Sequence, residues 1–164
     1  PGTCVTCVME GNRPVLAEIQ ALLAPTSFGN PRRTSNGFDY NRAMLLLAVL
    51  EKRGGLIVSS CDAYMNVIGG LYLDEPAADL AAIISIASSF RDKPVPGELT
   101  AIGEVGLTGE LRSVSALGQR LSEVRRLGFK RCLIPAQNSM KLVEPEGLQL
   151  VRVRNIREAL SAVL

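Results

Sequence analysis

The sequence predicts an α+β (mixed α/β) domain in which helices flank a mixed sheet. Its 164 residues, 47% of them hydrophobic, are enough for one domain with a real core. The chain opens with two apolar stretches separated by a turn, which is typical of an antiparallel hairpin. In its second half, predicted strands alternate with predicted helices. A hairpin followed by such alternation favours a mixed sheet. Because only 4% of residues are aromatic, we expect an aliphatic core.

Composition narrows the functional classes. A net charge of +2 is too small to imply nucleic-acid binding unless basic residues cluster. There is no signal peptide and no apolar run of membrane-spanning length, so we expect a soluble, cytoplasmic protein. The absence of histidine excludes Ser-His-Asp and Cys-His catalysis.

The cysteines disfavour a metal site. Cys4 and Cys7 form a C-x-x-C, but their odd spacing on a strand places the two side chains on opposite faces. No second C-x-x-C follows, so we expect reduced, packed cysteines and no bound metal.

The first half supplies the hairpin and a basic stretch. Residues 3–9 and 15–23 are predicted strands, joined by a turn at residues 10–14. Residues 25–38 are predicted to form a loop. This loop is either a solvated connection or a phosphate-binding surface, because it contains Arg32 and Arg33 and is close in sequence to other cations.

A helix from Asp39, its predicted N-cap, to Arg53 ends at two glycines. Its centre, residues 43–50, is apolar nearly all round, which indicates burial by its own domain or by a neighbouring subunit. Lys52 and Arg53 suit the helix dipole at the C-terminus. Arg42 in the first turn does not, and is therefore a better functional candidate.

Residues 56–73 are predicted to supply one or two strands, with residues 67–73 as an apolar strand before the turn Asp74-Glu75-Pro76. A buried helix over residues 77–90 follows. A turn from strand into helix often carries a nucleophile, since backbone N–H groups at the helix start can stabilise an oxyanion. Here the turn carries two alanines.

The remaining elements follow from glycines and periodicity. Residues 99–105 are a predicted strand, and residues 103–110 a hairpin that lacks any phosphate-loop signature. We predict an amphipathic helix over residues 115–127, ended by Gly128. Two strands are predicted at residues 130–135 and 148–153. A last helix is predicted over residues 156–164, with Asn155 as its cap. In the amphipathic helix we expect Leu117, Leu121 and Val124 to face inward and Arg120, Glu123, Arg125 and Arg126 to face outward.

Several stretches resemble the proteolytic domain of Lon proteases. They are Gly103-Glu104-Val105-x-Leu107-x-Gly109, Leu117, and Gly128-x-Lys130-x-x-Leu133-Ile134-Pro135. Residues 74–79 are similar to the Lon segment D-G-P-S-A-G, whose serine is the nucleophile. The resemblance implies a Lon proteolytic-domain-like fold over residues 1–164. It also places the nucleophile position on Ala77 and the catalytic lysine position on Gly118, so both halves of a Ser-Lys dyad are missing.

Together with residues 30–37, Asn41-Arg42 and residues 47–53, the chain resembles the C-terminal Lon-like domain of the RadA/Sms family of bacterial recombination and DNA-repair ATPases. The resemblance implies a non-proteolytic domain that supports a hexameric ring and binds DNA. It implies no cofactor in this chain, since ATP and Mg belong to a RecA-like motor domain and Zn to a zinc finger, neither of which is in this sequence.

Three hypotheses follow. In the first, the domain forms a ring and binds single- or double-stranded DNA through backbone phosphates, using Arg32, Arg33, Arg42, Lys52 and Arg53. Phe38 and Tyr40 are the only candidates there for base stacking. In the second, the domain is an oligomerisation scaffold without DNA contact. In the third, it is a cryptic peptidase.

Overall fold

A seven-stranded mixed sheet organises the chain. The structure, a computed structural model, describes residues 1–27, 29–142 and 144–164, without the side chains of residues 139–141. The sheet order is β3-β4-β2-β1-β5-β8-β9, and β6 pairs with β7 in a separate small hairpin. The strands are β1 Thr3–Glu10, β2 Arg13–Pro25, β3 Arg33–Asn36, β4 Cys61–Ile68, β5 Leu99–Ala101, β6 Glu104–Val105, β7 Leu111–Arg112, β8 Arg131–Pro135 and β9 Gln149–Val153.

Four α-helices cover the sheet unequally. They are α1 Tyr40–Gly54, α2 Asp79–Arg91, α3 Leu117–Arg126 and α4 Ile156–Val163, and short 3-10 turns span Pro76–Ala78 and Ala136–Lys141. Helices α1, α2 and α4 share the larger core, whereas α3 packs in a smaller core on the other face. The predicted mixed α/β architecture is therefore confirmed. No helix in the described part of the chain is long and apolar enough to cross a membrane.

The opening hairpin has the predicted form. β1 and β2 are antiparallel, with Cys4 opposite Ile19 and Val8 opposite Val15. Cys4 belongs to the larger core and Cys7 to the smaller one, so the two thiols lie on opposite faces as their spacing predicts.

The prediction of a continuous loop over residues 25–38 is wrong in part. Arg33–Asn36 form edge strand β3, parallel to β4, with Arg33 opposite Ala63 and Asn36 opposite Asn66. The segment Arg-Thr-Ser-Asn carries no apolar alternation, and its strand conformation depends on backbone pairing with β4. An edge position tolerates these polar side chains because they stay partly solvated.

The predicted strand over residues 67–73 is wrong beyond Ile68. β4 ends at Ile68 because Gly69 and Gly70 adopt positive φ angles of 96° and 75°, which an extended strand cannot contain. Beyond them, Leu73 makes only an isolated bridge to Phe38.

The predicted strand over residues 99–105 is divided at Gly103. The Gly103 amide donates to the Ala77 carbonyl at 2.9 Å, and the Leu80 amide donates to the Gly103 carbonyl at 3.1 Å. The chain thus leaves the large sheet at Gly103 and binds the start of α2 before it enters β6. This detour brings the β6–β7 hairpin next to Ala77.

Local capping fixes the helix ends. The Asp39 carboxylate accepts from the Arg42 amide at 2.9 Å, and Gly55 closes α1 with a φ of 78°. The Asn155 side chain likewise accepts from the Glu158 amide at 2.9 Å. These caps confirm the predicted starts of α1 and α4.

Candidate functional site

A cleft of about 280 Å³ lies at the start of α2, where the resemblance to Lon proteases places the nucleophile. Ala77 lines it with only 4% of its surface exposed, and offers a methyl group where a nucleophile would need a reactive atom. The lining is completed by Met9, Glu75, Pro76, Glu104, Ser113, Val114, Ser115 and Arg120. No lysine is among these described lining residues, so none of them provides an uncharged amine as base.

Gly118 lies in the first turn of α3 and is exposed. A Cβ atom built at Gly118 meets no atom within 4 Å, so this position faces open space. The two positions of the missing dyad therefore contribute a methyl group and a bare backbone. Peptide-bond hydrolysis by a Ser-Lys mechanism has no reacting groups at these positions.

Arg120 was expected to face solvent, and that expectation is wrong: 2% of this residue is exposed. Its guanidinium donates from Nε to the Ser115 carbonyl at 2.8 Å and from Nη1 to the Cys7 carbonyl at 2.9 Å, and it forms an ion pair with Glu75. The signal was present in the sequence. Position 120 follows Leu117 by three and precedes Val124 by four, which places it on the inward stripe of α3.

Arg42 also has buried partners. Its Nε donates to Asp79 at 2.9 Å, its Nη2 forms an ion pair with the second Asp79 oxygen, and Nη2 reaches the Val105 carbonyl at 3.3 Å. The Val105 amide donates to Asp79 at 3.0 Å. This network joins α1, α2 and β6. Burial raises the pKa of Asp79, while the hydrogen bonds from Arg42 and the Val105 amide oppose that shift.

Arg32 and Arg33 lie beside the start of β4. The Arg32 amide donates to Asp62 at 2.7 Å and its side chain is exposed, whereas Arg33 donates from Nη2 to the Val58 carbonyl at 3.0 Å. The Arg32 amide is the largest of the contributions that lower the pKa of Asp62. One carboxylate thus lies next to this arginine pair and reduces its net positive charge.

Lys52 and Arg53 lie at the other end of α1 from Arg42, about 15 Å away at 1.5 Å per residue. The fold adds a third cation there. Arg157, in the first turn of α4, donates from Nε to the Arg53 carbonyl at 2.8 Å. We call Lys52, Arg53 and Arg157 the α1–α4 basic group. All three side chains are exposed, and none forms an ion pair with a carboxylate in the described part of the chain.

The structure therefore divides the predicted basic residues. Arg32 and Arg33 lie at β3 and β4, Lys52 and Arg53 join Arg157 at α4, and Arg42 pairs with Asp79. Sequence reasoning missed Arg157 because it lies 104 residues from Arg53. No local pattern marks such a partner.

The thiols do not form a metal site. Cys4, Cys7, Cys61 and Cys132 are free and buried, and no group of three His, Cys, Asp or Glu residues that could hold a metal ion occurs among the described residues. Burial raises the pKa of Cys7 to about 11 and that of Cys132 to about 12. Such thiols stay protonated near neutral pH and are poor nucleophiles.

Comparison with known proteins identifies relatives of this chain. A family model described as the Lon protease (S16) C-terminal proteolytic domain matches residues 63–164. Over 163 residues, the chain is 56% identical to the DNA repair protein RadA of Bacillus subtilis, covering 99% of the chain and 36% of that protein. The corresponding protein of Listeria monocytogenes is 52% identical over 163 residues, with the same coverage. That of Streptococcus pneumoniae is 47% identical over 162 residues, covering 99% of the chain and 39% of that protein. The chain spans little more than a third of the length of these relatives.

Proposed function

Because this chain belongs to the Lon protease (S16) C-terminal proteolytic domain family but carries Ala77 and Gly118 at the positions of the dyad, we propose that it is a non-proteolytic, DNA-binding domain of a DNA-repair ATPase. In this proposal the domain binds the DNA backbone without regard to sequence and supports a hexameric ring. The observation that carries it is the similarity, over nearly the whole chain, to relatives named DNA repair protein RadA. ATP, Mg and Zn would be bound elsewhere in a full-length protein.

The chemistry of the cleft supports the loss of proteolysis. Ala77 has no nucleophilic atom and Gly118 has no amine. The buried cation in the cleft is Arg120, and a guanidinium stays protonated and is a poor general base. Ser113 and Ser115 also line the cleft, but no lysine or histidine is among its described lining residues to act as their base.

The α1–α4 basic group supports DNA binding. Three exposed cations without described carboxylate partners provide a local positive charge that phosphates would neutralise, and release of condensed counterions would drive that contact. The Nε hydrogen bond from Arg157 to Arg53 holds one guanidinium in place. Binding would be independent of sequence because phosphate contacts carry no direct base information.

Base stacking would contribute little. Phe38 is 2% exposed and belongs to the core, so its candidacy for stacking was wrong. Tyr40 is 49% exposed and stays a candidate. Because one of the two predicted stacking residues is buried, we favour backbone contacts over a stacking platform.

Ring assembly has a different kind of support. The apolar side of α1 is occupied by the domain's own core, where Ala43, Leu46 and Leu50 are fully buried, so the composition of α1 does not require a neighbouring subunit. Ile57 and Leu107 are 66% and 64% exposed and offer apolar surface to a partner copy. The hexamer is proposed from the family resemblance.

Fluorescence anisotropy of a labelled DNA single strand over a salt series tests the proposal, with the oligomeric mass measured in the same buffers. The variant Lys52→Ala/Arg53→Ala/Arg157→Ala should bind more weakly, and its log–log salt slope should fall by about 2 if all three residues contact phosphates. The matched control Arg112→Ala/Arg126→Ala/Arg154→Ala removes the same charge from side chains that pair with glutamates. It should retain most of the wild-type affinity.

The same experiment separates the alternatives. An Arg32→Ala/Arg33→Ala variant measures any contribution of this arginine pair to DNA affinity. A well-formed ring that binds no DNA would make the domain a scaffold and overturn the DNA-binding proposal. Equal losses in the basic-group variant and the control would indicate attraction by net charge without a defined contact surface.

A further inference from the structure

The edge of β1 is paired over only part of its length. β1 meets its parallel neighbour β5 at one register pair, Val5 with Thr100. Beyond that point the β5 chain turns away toward α2 at Gly103. Backbone groups of Cys7 and Met9 face the resulting gap, since alternate residues of a strand direct their hydrogen bonds to the same side. The cleft that contains Ala77 adjoins this gap, and Met9, Glu75 and Arg120 are among its lining residues.

Two side chains satisfy these backbone groups. The Met9 amide donates to Glu75 Oε2 at 3.0 Å, and Arg120 Nη1 donates to the Cys7 carbonyl at 2.9 Å. The other carboxylate oxygen of Glu75 pairs with Arg120. Glu75 thus supplies an acceptor for the Met9 amide, and Arg120 supplies a donor for the Cys7 carbonyl. An added strand would supply the same two groups through its backbone C=O and N–H.

Arg120 is buried, Glu75 is partly buried, and neighbouring groups hold both side chains in place. The Arg120 side chain is 2% exposed and that of Glu75 is 24% exposed. The Ser115 carbonyl, which lies just before α3, also accepts from Arg120 Nε at 2.8 Å. Glu75 has extended backbone angles of −81° and 123° and precedes Pro76, which restricts its conformation. The resemblance to Lon places a glycine at this position, which has no side chain to reach β1.

We propose that Glu75 and Arg120 form an internal plug that takes the place of an added strand on the free edge of β1 and closes this cleft to extended peptides. An unpaired strand edge is a template for peptide pairing. The plug removes that template by satisfying its donor and acceptor from within the chain. This inference concerns the peptide cleft and does not depend on DNA binding.

Binding of fluorescein-labelled, dephosphorylated β-casein, an unfolded probe, tests the plug. Glu75→Ala/Arg120→Ala removes both side chains and leaves no buried unpaired charge. The matched control Glu123→Ala/Arg126→Ala removes another ion pair of α3, in which the Arg126 side chain is 67% exposed. Both variants keep the net charge at +2, because each loses one acidic and one basic residue. We expect casein to bind the plug variant at least tenfold more tightly than it binds wild type or control. Equal binding by all three proteins would overturn the proposal.

Amide hydrogen exchange provides a second readout that needs no probe. In wild type the Met9 amide should be protected, and Glu75→Ala should speed its exchange at least tenfold. The Val8 amide, opposite Val15 in the hairpin, should change little and is the internal control. Unchanged Met9 exchange in a folded Glu75→Ala variant would show that Glu75 does not cover the edge, and would overturn the proposal even if the double variant failed to fold.

Discussion

Arg42→Ala isolates the ion pair that joins α1, α2 and β6. The Asp79 side chain has no exposed surface, and in the variant it would keep only the Val105 amide as a described donor. Breaking a buried pair by removing one partner costs about 3–5 kcal/mol. The Arg42 side chain is 26% exposed, so we expect the lower end of that range. At 2–4 °C per kcal/mol for a chain of this size, the melting temperature should fall by about 6–12 °C.

The loss should depend on pH in a defined direction. Burial raises the folded-state pKa of Asp79, and the hydrogen bond from Arg42 is the largest opposing contribution. Removing Arg42 therefore raises this pKa further. A carboxyl group with a raised folded-state pKa stabilises the fold below its unfolded pKa, and this contribution is lost as pH rises through the folded value. The stability difference between wild type and Arg42→Ala should thus shrink as pH falls from 7 toward 4.

Thermal unfolding followed by circular dichroism at pH 7 and pH 5 measures both effects. Lys52→Ala, which removes an exposed cation from the same helix, is the control and should change stability by less than about 0.5 kcal/mol. A melting temperature within 2 °C of wild type at pH 7, or a loss that grows on acidification, would refute the reasoning. DNA affinity measured below the transition then reports separately on Arg42 as a phosphate contact, which stays a prediction.

Three further predictions concern the vestigial site, a helix cap and the thiols. Ala77→Ser/Gly118→Lys should melt within about 2 °C of wild type, because Gly118 faces open space; a large stability loss would argue against the assignment of these positions. Asn155→Ala should lower the free energy of unfolding in urea by about 1 kcal/mol, with Asn155→Asp close to wild type, and equal stability of both variants would exclude a capping role. Cys7 and Cys132, whose pKa values burial raises to about 11 and about 12, should resist a disulfide reagent at pH 8 until urea unfolds the chain, so rapid labelling of the native protein would contradict their burial.

Elements governed by neighbouring residues were predicted well. The β1–β2 hairpin follows from alternation around a turn, α1 from Asp39 and its terminal glycines, and α4 from Asn155. Strand β3 was missed because its four polar residues become a strand through pairing with β4, which lies far along the chain. The apolar run after β4 was misassigned as a strand because its hydrophobicity suggested one. The positive φ angles of Gly69 and Gly70 end the strand instead.

The same distinction applies to the site. The resemblance to Lon proteases assigns the two dyad positions to Ala77 and Gly118. That neither residue type has a reactive side chain is evident from the sequence alone. The Glu75–Arg120 pair joins residues 45 apart, and the Arg53–Arg157 contact joins residues 104 apart. Such contacts arise only once the elements are packed. For Arg120 the two sequence signals disagree. Its helical spacing predicts a buried side chain, whereas arginine is a residue type that is usually exposed.

The single register pair between β1 and β5 has a consequence for how the domain folds. Four strands from the first half of the chain meet three from the second half at this narrow seam, and α2 contacts both sides. Ser85 of α2 donates to the Ile19 carbonyl of β2, while Leu80 and Asp79 bind Gly103 and Val105. Ten of the thirteen α2 residues are buried. Neither half can keep α2 covered alone, so the domain should unfold as one cooperative unit. A fragment cut to the family match, which begins inside β4, should not fold independently.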